Sequence, residues 1–71
     1  MDLSLIIPAF NESEALPELI GEIDQACEGL GLEWETIVVD DGSTDGTFGL
    51  ISGMAETNPR VGVVRMRRNF G

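Results

Sequence analysis

The 71-residue sequence has no histidine, no lysine and only one cysteine. Because histidine is absent, the chain cannot supply a Ser-His-Asp triad or an imidazole-based metal site. A single cysteine excludes an internal disulfide and a CxxC site, and we expect Cys27 to be a core residue in a reducing, cytoplasmic compartment. No run reaches the roughly 18 apolar residues of a membrane helix, and residues 3–7 are too short for the apolar region of a signal peptide.

Charge is distributed unevenly along the chain. All 13 acidic residues precede Arg60, whereas the 4 arginines lie within residues 60–71, and the formal net charge is −9. A chain this acidic is a poor candidate for nucleic-acid binding, which needs a basic face. The terminal arginines are compatible with a phosphate or anionic lipid contact, and equally with a solvated strand edge.

Hydrophobic periodicity predicts three strands. They are residues 3–7, which Pro8 should end, residues 35–39, and residues 61–64. The middle run is continuously apolar, which is typical of a parallel strand covered on both faces.

Two helices are predicted between these strands. The first should present one apolar face formed by Leu16, Leu19, Ile20, Ile23, Cys27 and Leu30. Asn11 or Ser13 is expected to cap its start. Gly29 or Gly31 is expected to end it. The second helix should cover residues 45–57. This order predicts an α/β fold, a Rossmann-like βαβαβ three-layer half-domain with a parallel sheet over residues 1–71.

Three unusual polar sequences follow the predicted strands, at residues 8–12, 40–43 and 67–71. In open α/β sheets, ligands bind beyond the carboxyl ends of the strands. Because these ends meet at one rim of a parallel sheet, the sequence predicts a binding site there.

Asp40 and Asp41 are adjacent, so their side chains should diverge and only one should face a ligand. A carboxylate at this position can accept hydrogen bonds from ribose hydroxyls or a base N–H. Gly42 permits close backbone approach, and Ser43 or Thr44 can cap the next helix. The alternative is a simple strand-to-helix turn with a cap, and the dipeptide alone favours that alternative.

Phe10 and Glu12 follow the first strand. The ring of Phe10 can form one wall for a planar base, and Glu12 can bond the polar edge of a nucleoside. In the alternative interpretation, Phe10 is a core residue and Glu12 is a favourable charge at a helix N-terminus.

Other nucleotide and metal motifs do not fit. The fingerprint G-x-G-x-x-G is absent after the first strand, and a chain without lysine has no P-loop. Residues 41–46 resemble the start of an EF-hand loop, but its twelfth position is Ser52 and a strand precedes it. A haloacid-dehalogenase-like phosphatase needs Asp-x-Asp, whereas Asp41 is followed by Gly42 and Ser43.

Three motifs together resemble the family 2 glycosyltransferases of GT-A fold. They are residues 5–12 (Leu-Ile-Ile-Pro-Ala-Phe-Asn-Glu), residues 37–47 (Ile-Val-Val-Asp-Asp-Gly-Ser-Thr-Asp-Gly-Thr) and residues 68–71 (Arg-Asn-Phe-Gly). Within the family they are most similar to the polyprenyl- or dolichyl-phosphate hexosyltransferases. The resemblance implies an inverting transfer of a hexosyl group from a UDP- or GDP-sugar, with a polyprenyl phosphate as acceptor.

The same resemblance implies which residues contact the nucleoside. They are Pro8, Phe10, Glu12, Val39 and Asp41, and we add the adjacent Ala9 and Asp40 to the predicted nucleotide-binding set. Phe10 stands where the family often has tyrosine, which keeps the ring and loses a hydroxyl. No catalytic residue and no metal ligand is predicted within the chain.

Relatives carry a later Asp-x-Asp motif that holds Mg²⁺ or Mn²⁺ against the donor diphosphate. No such motif precedes Gly71. We therefore expect an N-terminal fragment that is inactive alone, with metal ligands beyond Gly71 in an enzyme at the cytoplasmic face of a membrane. The alternative is a non-catalytic α/β module that forms a homo-oligomer through its unfinished sheet edge.

Overall fold

A computed structural model describes residues 1–42 and 45–66. The elements are β1 (Leu3–Ala9), α1 (Leu16–Gly29), β2 (Trp34–Asp40), α2 (Thr47–Thr57) and β3 (Val61–Arg65). The strands form a parallel sheet in the order β1-β2-β3. The predicted α/β class and Rossmann-like βαβαβ order are confirmed. The helix caps predicted at Ser43 or Thr44 and the rim sequence predicted at residues 67–71 lie outside the described residues.

β1 continues through Pro8 to Ala9, so the expectation that Pro8 ends this strand is wrong. Pro8 is paired in register with Val39. The carbonyl of Ala9 accepts a hydrogen bond from the N–H of Asp41 at 2.9 Å, so the backbone groups of Ala9 face β2. Along a strand, the backbone N–H and C=O groups of successive residues point to opposite edges. The nitrogen of Pro8 therefore faces the outer edge of β1. A proline at such a position removes no hydrogen bond from the sheet.

α1 begins after a turn that the backbone holds. The carbonyl of Glu12 accepts hydrogen bonds from the N–H groups of Ala15 and Leu16, at 3.2 and 3.1 Å. The N-cap residue is Ala15, and it makes no side-chain cap. The expectation that Asn11 or Ser13 caps this helix is therefore wrong.

α1 ends in a Schellman motif at one of the two predicted glycines. Gly31 has a φ of 71°, and its N–H donates to the carbonyl of Glu28 at 3.1 Å. The N–H of Leu32 donates to the carbonyl of Cys27, also at 3.1 Å. Gly29 remains helical, so Gly31 is the residue that ends the helix.

Both helices pack on the same face of the sheet. The buried core joins all five elements through Ala9, Leu16, Ile20, Val38, Ile51 and Val61. On the opposite face, Ile6 is 61% exposed and Val64 is 48% exposed. The described residues therefore form two layers, and the prediction of three is wrong. When strands follow in sequential order, two crossovers of the same hand place both helices on one side.

The burial of individual side chains follows from this two-layer arrangement. β2 was expected to be covered on both faces, but its side chains alternate between buried and half-buried. Cys27 is buried, as predicted. On α1, however, Leu19 and Leu30 are exposed, and Leu30 is the C-cap residue beyond the last turn. The predicted apolar face of α1 is thus narrower than its spacing indicated.

Candidate functional site

The ends of β1 and β2 meet at one rim of the sheet, as predicted. The hydrogen bond from the N–H of Asp41 to the carbonyl of Ala9 extends the parallel pairing one residue beyond β2. The next residue after Ala9 is Phe10, whose side chain is 48% exposed. The alternative in which Phe10 is a core residue is therefore wrong. An exposed ring and an exposed carboxylate lie on neighbouring chain segments at this rim.

The two adjacent aspartates have different environments, as the alternation of side chains predicts. Asp41 is exposed, whereas the side chain of Asp40 is fully buried. The Oδ2 atom of Asp40 lies 3.8 Å from the Nε atom of Arg65, its register partner on β3. A buried carboxylate beside a guanidinium is a structural ion pair. Of the two aspartates, Asp41 is the one whose side chain a ligand can reach.

Arg65 lies at the rim, a position that is not predicted from the sequence. Its guanidinium lies 4.8 Å from the centre of the Phe48 ring, and its side chain is 56% exposed. The aromatic face and the carboxylate of Asp40 both favour a cation there. The register between β2 and β3 indicates this position of Arg65, because Arg65 lies opposite Asp40 once the two strands are aligned.

Pro8 and Val39 lie on the uncovered face of the sheet, next to the rim. They pair across β1 and β2 and alternate with the buried Ala9 and Asp40. The side chains of Ala9 and Asp40 face the core, so only their backbones are accessible at the site. Nucleotide contact by all seven predicted residues stays a prediction.

A hydrogen-bonded clasp, formed by Glu12, Ser13, Asp45 and Thr47, joins the β1–α1 loop to the start of α2. One carboxylate oxygen of Asp45 accepts hydrogen bonds from the N–H and the hydroxyl of Ser13, at 3.3 and 3.0 Å. The other accepts hydrogen bonds from the N–H of Thr47, at 3.0 Å, and from its hydroxyl. The Thr47 oxygen in turn accepts the N–H of Glu12 at 3.1 Å. The buried hydroxyl of Thr47 thus both donates and accepts.

These hydrogen bonds make Asp45 a stronger acid. The bond from the Thr47 hydroxyl is the main cause that lowers the pKa of Asp45 from 3.8 to about 2. Partial desolvation opposes the shift, and the Thr47 N–H and both Ser13 donors reinforce it. Asp45 is therefore ionised at neutral pH. From the sequence, Asp45 is predicted only to begin a helix, although an aspartate two residues before a threonine is a signal for such a local hydrogen bond.

The acidic residues of the described part of the chain do not fit a divalent metal ion. Within residues 1–42 and 45–66, no group of three or more His, Cys, Asp or Glu side chains is arranged to hold one. Asp40 is buried beside Arg65, and both oxygens of Asp45 already accept two hydrogen bonds each. The expectation of Mg²⁺ or Mn²⁺ with ligands beyond Gly71 stays a prediction.

Two further features concern the whole described part of the chain. In residues 1–42 and 45–66, no helix combines the length and the apolar character that crossing a membrane requires.

A hollow of about 340 Å³ lies at the amino ends of the strands, and its lining residues are Met1, Glu33, Trp34, Glu35, Pro59 and Arg60. This hollow is at the end of the sheet opposite to the predicted residues, and ligands of open α/β sheets bind at the carboxyl ends.

Comparison with known proteins places the chain in a family. The model of Glycosyl transferase family 2 matches residues 4–71. Undecaprenyl-phosphate 4-deoxy-4-formamido-L-arabinose transferases of Salmonella paratyphi B, Salmonella newport and Salmonella heidelberg are each 40% identical to it over 70 residues. These alignments cover 97% of this chain and 21% of each relative, so the chain spans about a fifth of the length of these relatives.

The chain belongs to glycosyl transferase family 2. The resemblance inferred from the three motifs is thereby confirmed, including its similarity to transferases named for a polyprenyl phosphate.

Proposed function

We propose that the chain forms the nucleoside-binding part of a glycosyltransferase that moves a hexosyl group from a UDP- or GDP-sugar to a polyprenyl phosphate. Membership of the family supports the reaction class. The relatives named as undecaprenyl-phosphate transferases support the class of acceptor. Inversion by direct displacement at the anomeric carbon is part of the proposal, as is a location at the cytoplasmic face of a membrane.

One observation carries the assignment of the nucleoside to this rim. The hydrogen bond between Asp41 and Ala9 brings an exposed carboxylate next to the segment that bears the exposed ring of Phe10. A planar apolar surface beside hydrogen-bond acceptors is the combination that a base and its ribose require. Both groups also lie at the carboxyl ends of parallel strands, where ligands of such sheets bind.

Each rim residue has a role in this proposal. Phe10 stacks against the base, and Asp41 accepts hydrogen bonds from ribose hydroxyls or a base N–H. Glu12, which is exposed, bonds the polar edge of the nucleoside. Gly42 has a φ of 79°, and its lack of a side chain lets the ligand approach the backbone closely. Pro8 and Val39 form the adjoining apolar surface.

The metal-dependent part of the reaction is assigned to residues outside this segment. A metal ion neutralises charge that develops on a diphosphate leaving group. Since the described acidic residues do not fit such an ion, we expect binding of the nucleoside by the 71-residue chain without turnover. A radiolabelled transfer assay that detects turnover by this polypeptide would contradict that expectation.

Isothermal titration of the chain with UDP, GDP and their hexose derivatives tests nucleoside binding. Phe10→Ala should weaken binding roughly 10-fold, because stacking on an aromatic ring contributes about 1–3 kcal/mol per base. Asp41→Asn should weaken it by at least roughly 10-fold, because a hydrogen bond to a charged group contributes about 1.5–3 kcal/mol.

Matched controls lie at the other end of α1. Leu30→Ala removes an exposed apolar side chain, and Glu28→Gln removes an exposed negative charge. Both variants should bind as the unmodified chain does. Equal losses in the control and rim variants, or no binding by the unmodified chain, would contradict the assignment.

The uncovered face of the sheet favours a second candidate function, a non-catalytic module that self-associates. Ile6 and Val64 expose apolar surface there, and Ile37 and Val39 are half-buried. An apolar sheet face in water favours association with another polypeptide. Light scattering coupled to size-exclusion chromatography measures the oligomeric state. A stable oligomer that binds neither nucleotide would favour the module over the transferase segment.

A further inference from the structure

We propose that Asp45 is a positioning residue for nucleoside binding, because it ties the loop bearing Phe10 to the loop that follows Asp41. The inference rests on the proposed function, since it concerns the same rim. Asp45 acts in it through its neighbours rather than by touching the ligand.

The clasp connects two loops that lie far apart in sequence. It supplies three hydrogen bonds between them, two from Ser13 to Asp45 and one from Glu12 to Thr47. The loop that leaves β1 contains Phe10, and the loop that leaves β2 contains Asp41. The clasp therefore fixes the position of one predicted contact residue relative to the other.

Both loops need such a constraint because their backbones include unusual conformations. Asn11 has a φ of 53°, which is uncommon for a residue other than glycine. Gly42 and Gly46 have φ values of 79° and 89°. Glycine permits these values but also leaves the chain many other conformations. A fixed clasp removes part of the ordering that a ligand would otherwise have to impose, and less ordering means tighter binding.

The hydrogen bonds of Asp45 separate a positioning role from direct contact. Each of its two oxygens already accepts two hydrogen bonds from Ser13 or Thr47. Its negative charge would repel a diphosphate, so by charge alone Asp45→Asn would strengthen binding of UDP or GDP. A positioning role predicts the opposite sign. It also predicts that uncharged nucleosides lose affinity together with the nucleotides.

The test is titration of the full chain with uridine, guanosine, UDP and GDP, on the unmodified chain and on variants. Asp45→Asn should weaken both the nucleoside and the nucleotide of the preferred base, roughly 10-fold each, by loss of preorganisation. Thr47→Val should weaken them similarly, and Thr47→Ser, which keeps the hydroxyl, should recover most of the loss. Glu28→Gln is the control for removal of one negative charge, and it should leave the affinity of uncharged nucleosides unchanged.

A second measurement distinguishes positioning from a general loss of fold. Amide hydrogen exchange at Glu12 and Ser13 should accelerate more in Asp45→Asn than exchange in β2 does. If the unmodified chain binds and Asp45→Asn binds equally well or more tightly, the inference is wrong and the proposed function stands. If the unmodified chain binds no probe, the proposed function is wrong and the inference fails with it. Acceleration in β2 as large as that at Glu12 and Ser13 would also overturn the inference, because Asp45 would then act only through the stability of the whole fold.

Discussion

Replacement of the buried Thr36 by valine should stabilise the fold by about 2 kcal/mol. Thr36 lies in the middle of β2, between Leu5 of β1 and Val61 of β3, and its side chain is fully buried. Its hydroxyl has no hydrogen-bond partner among the residues that the structure describes. A buried, unsatisfied hydroxyl costs roughly 1–3 kcal/mol, and a buried methyl group contributes about 0.8 kcal/mol. Valine keeps the branched Cβ, so the strand conformation remains suitable.

Urea unfolding followed by far-ultraviolet circular dichroism measures this change. The midpoint should rise with an unchanged slope, and the melting temperature should rise by roughly 8–16 °C, at about 4–8 °C per kcal/mol for a domain of this size. Thr47→Val is the matched control, because Thr47 is equally buried but its hydroxyl belongs to the clasp. The free energy of unfolding of that variant should fall by about 1–3 kcal/mol. A less stable Thr36→Val chain would refute the reasoning, since it would show that the hydroxyl has a partner.

Three further changes test other parts of the structure. Gly31→Ala should destabilise the chain by about 1–2 kcal/mol in urea unfolding, because φ is 71° there although the space around it is open; an unchanged midpoint would argue against a strained turn. The folded pKa of Asp45 lies at about 2, below its ordinary 3.8, so its contribution to stability is complete above pH 4 and is lost as the pH falls towards 2. The stability difference between the unmodified chain and Asp45→Asn should therefore shrink between pH 5 and pH 2, and a constant difference would contradict the assigned hydrogen bonds. Ile6→Lys should shift any oligomer seen by light scattering towards monomer, whereas persistence of the oligomer would place the contact elsewhere.

The order of the elements could be predicted because it depends on local patterns. Apolar spacing revealed both helices, and continuous apolar runs revealed all three strands. The number of layers could not be predicted in the same way, because it depends on strand order and crossover hand. The apolar run of β2 indicated burial on both faces, yet the helices cover only one of them. Pro8 was misread because its effect on a strand depends on which side of the sheet its nitrogen faces.

The candidate site could be predicted only in part, because some of its features follow from local sequence and others from contacts between distant residues. The rim position of Phe10 and Asp41 follows from where two strands end, which the sequence shows directly. The clasp joins residues 32 to 35 positions apart, and the pairing of Asp40 with Arg65 requires the register of β2 and β3. Neither contact leaves a periodic pattern in the sequence. The burial of each side chain then showed that Asp41, and not Asp40, is exposed. The adjacent pair in the sequence did not show which of the two it would be.

The proline in β1 makes the two edges of the sheet differ near the rim. At the rim end of its outer edge, β1 presents Pro8, which has no N–H to donate to a further strand. The carbonyl of Asp40 accepts the N–H of Met66, so Val63 and Arg65 turn their backbone groups away from β2. Both residues can donate to a new neighbour. Near this rim, a strand that pairs with β3 can therefore accept two backbone hydrogen bonds, whereas Pro8 offers none on the outer edge of β1.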